Sequence, residues 1–234
     1  MWVFPLAAAV VAFAFAAALG RRFVRSRRIH LAMWCGALVM YAVASLAVAA
    51  GAFAGWSRTL FEMYWILGAV LNVPLLAAGE VHLLRRGQVL DLAVWVVLAF
   101  VFAYTVAVTR GAGVDPGALT ERLPSGKEVF GDGSGAHRLP QLISIPSYLI
   151  LVAGAAWSAW RMRGRPDLRA RFTGTLLVAA GATITAAAGS AFAAVGNLPA
   201  FSLSLLAGVG VMFVGFRRAS ESRPSPERID LPAH

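Results

Sequence analysis

Lysine is almost absent from this sequence. Lys127 is the only one among the 21 basic residues, and all the others are arginine. It lies outside every apolar run, so no span can carry a retinal-type Schiff base. Cysteine is as scarce. Cys35 alone excludes an intrachain disulfide and a cysteine-based metal site, and in its apolar run it reads as a buried, inert thiol. Charged residues make up 14% of the 234 positions, against about a quarter in soluble domains. No midplane pair of histidines is available for a haem. The phosphate-cradling and dinucleotide glycine motifs and the H-E-x-x-H helix are missing, as is a G-x-S-x-G elbow. Ser144 and Ser147 have only His137 as a nearby imidazole on their side, too little for a serine hydrolase. No cofactor and no metal are expected. A metal set of His30, His82 and Asp91 is a minor reading.

What remains is apolar. Hydrophobic residues make up 59% of the chain and the mean hydropathy is +0.71. This composition predicts an all-α integral membrane protein. A span needs roughly 20 mostly apolar residues, and seven such stretches occur: 2–19, 31–55, 59–84, 89–109, 141–160, 172–195 and 199–216. The connections alternate in charge. Segments 20–30, 85–88 and 161–171 and the tail hold 16 basic residues, and the opposite connections hold five. By the positive-inside rule the amino terminus is outside and the carboxyl terminus cytoplasmic. The expected location is a bacterial inner or plasma membrane. The first run has no basic residues ahead of it, so it reads as a retained helix and not a cleaved signal. Topology and anionic head groups account for the arginines, and nucleic-acid binding is not needed.

Within the expected transmembrane domain, 1–217, the connection 110–140 is the only long one. LPSGKEVFGDGSG in it suggests a short hairpin, with a flexible loop as the competing reading. Residues 218–234 are rich in Ser and Pro and predict a disordered cytoplasmic tail. A shift of 141 residues lays Pro5 on Pro146, the arginine loop 21–30 on 161–171, and Gly55 on Gly196. That suggests a 3+1+3 repeat, a layout with transporter precedents. In topology alone the layout is similar to that of sugar transporters of the SWEET type.

The third span, FEMYWILGAVLNVPLLAAGEVHLL, carries the most polarity. Glu62 and Glu80 are 18 residues apart, so they share a helix face about 27 Å apart. Each then lies near an interface of a core about 30 Å thick. Glu62 is placed to pair with Arg58, and Tyr64 and Trp65 suggest an interfacial aromatic belt. Glu80, His82, Arg85, Arg86 and Asp91 suggest a charged cluster at the cytoplasmic interface. His82 lies about 200° around the helix from Glu80 and cannot easily share a metal with it. In mid-span, Pro74 leaves the Val70 carbonyl without its helical partner, and Asn72 should turn inward.

The fifth span adds Pro146, which frees the Leu142 carbonyl, and a polar face of Gln141, Ser144 and Tyr148. The sixth and seventh spans offer Thr183, Thr185, Ser190, Ser202 and Ser204. The small-residue stripe of Gly174, Gly181, Thr185 and Gly189 reads as helix packing. Asn72, Ser144, Tyr148 and Thr183 are the candidate ligand-binding residues, in a cavity opening outward between spans three, five, six and seven. The function that follows is binding or transport of a small neutral or amphipathic molecule or lipid. Two alternatives are a non-enzymatic accessory or sensor subunit with a protein partner at its cytoplasmic face, and an intramembrane lipid-modifying enzyme using Glu62, Asn72 or His137.

Overall fold

The computed structural model describes residues 2–85, 87–120, 122–165 and 168–221. Among them are seven helices long and apolar enough to cross a bilayer, and no strand. They are α1 (Val3–Ser26), α2 (Ile29–Ala54), α3 (Arg58–Leu84), α4 (Gln88–Gly111), α5 (Gly135–Met162), α6 (Arg169–Ala194) and α7 (Leu198–Glu221). Several exceed their apolar cores. The first helix runs on through Arg21, Arg22 and Arg25, because arginine is a good helix former. The turn to α2 is then confined to Arg27, in the left-handed region at φ 53°, and Arg28. The fifth helix begins six residues before its apolar stretch, where Ser134 accepts the His137 amide as an N-cap. The seventh continues to Glu221. The tail expectation for 222–234 lies outside the described residues.

Three helices contain π-helical turns, at Tyr64–Leu71 in α3, Pro140–Ser144 in α5 and Ile184–Ala188 in α6. The first two precede Pro74 and Pro146. A proline removes one intrahelical hydrogen bond, and the wider turn absorbs the misfit.

Six helices close a ring in the order α1, α2, α3, α5, α6, α7, and α4 packs outside it on α3. The most apolar window of α1, α2, α3 and α7 is 39–50% buried, and that of α4, α5 and α6 only 17–22%. The core therefore lies among the first four. Glycine sets how closely α6 meets α7. A Cβ on Gly174 would lie 2.6 Å from the Gly215 carbonyl oxygen, and one on Gly181 2.5 Å from that of Gly208. The stripe of small residues is a packing surface, where dispersion replaces the hydrophobic drive that lipid removes.

The connection between α4 and α5 is folded. Its 125–130 segment is not a hairpin but a short helix, Gly126–Phe130, closed by a capping box between Ser125 and Glu128. Ser-x-x-Glu is the sequence signature of such a start, and it outweighs the Gly-Asp-Gly turn that follows. Lys127 and Asp132 pair beside it at 3.1 Å, and the ammonium holds the Asp132 carboxyl below its ordinary range. Leu123, Val129, Phe130, Ala136 and Leu139 are all buried. They seat the connection on Phe61, Trp65 and the other rings at this end of the bundle. Tyr64 and Trp65 are accordingly buried under it and do not form an exposed belt. The Trp65 indole donates to the Ala136 carbonyl at 3.1 Å. We call this the loop end of the bundle and the other the arginine-rich end.

Candidate binding site

The broken helix α3 positions the candidate site. Pro74 frees the Val70 carbonyl, and the Ser144 hydroxyl on α5 reaches it at 3.1 Å, with the Ala69 carbonyl at 2.7 Å. One hydroxyl thus covers the defect that the proline makes. One turn along α5, the Tyr148 hydroxyl meets the Thr183 hydroxyl of α6 at 2.8 Å, and Thr183 also bonds the Ala179 carbonyl. Across the bundle, the Tyr41 hydroxyl of α2 donates to the Leu205 carbonyl of α7 at 2.8 Å. Thr185 lies beside Tyr41 and donates to the Gly181 carbonyl at 3.2 Å. Tyr41, Ser144, Tyr148, Thr183 and Thr185 occupy the middle third of their helices and form one polar layer, with Thr183 at its exposed edge.

Asn72 belongs to this layer and differs from the rest. It is 5% exposed, and its Oδ1 has no hydrogen-bond partner. On α3 it falls between Gly68, which packs on Ala44, and Leu75, which packs on Gly36. It therefore faces α2 at the level of Met40 and Tyr41. Of the four candidate residues, Ser144 is committed to backbone carbonyls, Tyr148 and Thr183 to each other, and only Asn72 keeps an unused buried acceptor.

The packing around the layer is uneven. Residues 145–162 of α5 lie against 169–183 of α6, whereas 140–144 lean on α3 and 184–194 of α6 pack on α7. The two helices part toward the loop end, beyond the Tyr148–Thr183 contact. Two concavities are described, of about 690 and 290 Å³, both at the arginine-rich end. Neither is lined by Asn72, Ser144, Tyr148 or Thr183.

The charges divide more than their spacing implied. Arg58 and Glu62 pair at 2.7 Å, and Arg58 also donates to the Arg110 carbonyl at 3.0 Å, tying the start of α3 to the end of α4. At the other end the five-residue cluster does not form as one unit. His82 turns to Asp91 on α4, with Nε2 to Oδ1 at 3.2 Å, while its Nδ1 lies 3.0 Å from the Ala78 carbonyl. The 3.2 Å approach lacks hydrogen-bond geometry, since Nε2 is otherwise unpartnered. Glu80 is buried and faces α5, where a Cβ on Gly154 would lie 2.5 Å from its Cγ. Arg86 lies outside the described residues. No group of three metal-ligating side chains occurs among the described residues.

Sequence reasoning missed Tyr41, whose signal was a lone phenol in mid-span, since a buried Tyr hydroxyl needs a partner. It also missed Thr105 and Thr109, fully buried on α4 with unpartnered hydroxyl oxygens. Their spacing of four along α4 marks the face turned to α3 and the connection.

The fold defines the class, a seven-helix bundle of membrane-spanning dimensions. No family model matches the chain, and neither a curated protein nor a solved structure matches it.

Proposed function

We propose that this protein binds, or carries across a bilayer, a small neutral or amphipathic molecule or a lipid in the polar layer around Asn72. The Asn72 amide carries the reading, because it is buried at mid-depth with an acceptor that nothing satisfies. Leaving such a group unpaired costs about 1–3 kcal/mol, and no bulk water reaches it inside a bilayer. An asparagine retained only to hold helices together would be bonded across an interface, as Ser144 and Tyr41 are. A ligand hydroxyl or amide, or a water that a ligand displaces, completes Asn72.

The rest of the layer consists of hydroxyls and phenols, which suits a neutral or amphipathic species and leaves a bare ion unbalanced. The parting of α5 and α6 supports entry from the side, the route open to a molecule dissolved in lipid. An intramembrane enzyme fits less well. Glu62 and Asn72 stand ten residues apart on α3, about 15 Å along its axis. The charge asymmetry supports an outer amino terminus in a bacterial plasma membrane. In support of the repeat, Gly55 and Gly196, superposed by the shift of 141, both have positive φ, at 91° and 64°. Each follows the second helix of its triplet.

Asn72→Leu tests the proposal. Native mass spectrometry of protein purified in mild detergent should find a bound species on the wild type that the variant lacks, at nearly unchanged thermal stability. A variant that unfolds earlier but keeps the bound species would make Asn72 a packing residue and end the proposal.

A further inference from the structure

The smaller concavity lies between the ends of α1 and α7 at the arginine-rich end. Its lining is Ala18, Arg21, Arg22 and Arg25 from one helix and Phe216, Arg217 and Ser220 from the other. Positions 18, 21, 22 and 25 form one face of α1. The Arg22 guanidinium lies 4.8 Å over the Phe216 ring, which gives the groove an apolar floor with a cationic edge. Ser220 is spent on the Phe216 carbonyl.

Arg21, Arg25 and Arg217 converge here with no ion pair to an acidic side chain among the described residues. Like charges at i, i+4 repel. The two helix C-termini offset part of this, at roughly half a negative charge each. Among the described side chains, that leaves about two of these three positive charges uncompensated at one groove. Among the described residues, the larger concavity has Arg85 as its one charged lining residue.

We propose that this groove binds the phosphodiester of an anionic phospholipid, with the arginines on the phosphate and the acyl chains leaving over Ala18 and Phe216. Guanidinium matches phosphate through paired N–H donors. A volume of about 290 Å³ is at the lower limit for a ligand pocket, enough for one head group and not a whole lipid. The site is separate from the Asn72 layer and does not depend on it.

The experiment uses the full chain in detergent, delipidated, and measures binding and melting temperature. The probes are short-chain phosphatidylglycerol, phosphatidylcholine of the same chain length, and inorganic phosphate. Phosphatidylglycerol should bind and raise the melting temperature, and the other two should not. The triple change Arg21→Gln, Arg25→Gln and Arg217→Gln should weaken phosphatidylglycerol binding at least tenfold, roughly the loss of one charge-assisted contact. Arg85→Gln with Arg161→Gln and Arg163→Gln should leave binding intact. Equal responses to the two lipids, or to free phosphate, would overturn the proposal, as would equal losses in the two triple variants. If the groove variant does not fold, Arg217→Gln alone decides, since that side chain is exposed.

Discussion

Ser144 shows how a single hydroxyl repairs a proline. Its Oγ donates to the Ala69 and Val70 carbonyls, and neither finds water at that depth. Ser144→Ala should therefore destabilise the bundle by about 1–2 kcal/mol, the cost of stranding a buried acceptor. Unfolding in mixed micelles measures it. Ser147→Ala is the control. That hydroxyl folds back on the Ile143 carbonyl of its own helix, so its loss should be near neutral. Equal effects of the two changes would mean that the carbonyl freed by Pro74 is satisfied in another way. The orphaned acceptor was legible at this scale, because Pro74 names Val70 through covalent geometry alone. Its donor was not. Ser144 lies 74 residues away, and no local pattern links the two.

Among the helices, α6 and α7 are held at the distance glycine permits. Gly181→Ala would drive a methyl group into the Gly208 carbonyl and against Met212. Both are anchored in the facing helix, so the helices must separate. The expected loss is about 1–3 kcal/mol, the usual cost of overpacking. Gly210→Ala in the same contact partner meets no atom within 4 Å and should be neutral or slightly stabilising. Thermal unfolding in one detergent compares the pair, and a harmless Gly181→Ala would show that the two helices slide freely. The stripe was readable from spacing, whereas its partner helix was not. The connection between α4 and α5 differs again. Its Ser125-x-x-Glu128 box was present in the sequence but was outweighed there by Gly-Asp-Gly, and aromatic rings at the loop end give the short helix a surface to bury against.

For the molecule as a whole, orientation is the property that the bundle's geometry leaves open and charge decides. With 16 basic residues on one side and five on the other, the arginine-rich end should face the cytoplasm. Single cysteines at positions 120 and 225, in a Cys35→Ala background, should label oppositely from outside intact cells. Position 120 should react with an impermeant maleimide and position 225 should not, and the reverse pattern would invert the topology. This orientation also sets which leaflet supplies the α1–α7 groove and which lies beside the parting of α5 and α6.

The sequence by itself determined the number of spans, their approximate ends, and where two of them would depart from regular helix. Those follow from hydropathy, chain length and the chemistry of proline, all local to a span. Only the tertiary structure decided that α4 stands outside a ring of six and that Glu80 and His82 part company. It also decided that Tyr41 bridges to α7, while Asn72, alone of the four candidate residues, keeps an unspent buried acceptor. The physical reason is the solvent. In lipid every outward face is apolar and every apolar face is acceptable outward, so hydropathy does not say which helix meets which. That choice rests on small-residue fit and on single hydrogen bonds between residues far apart in the chain.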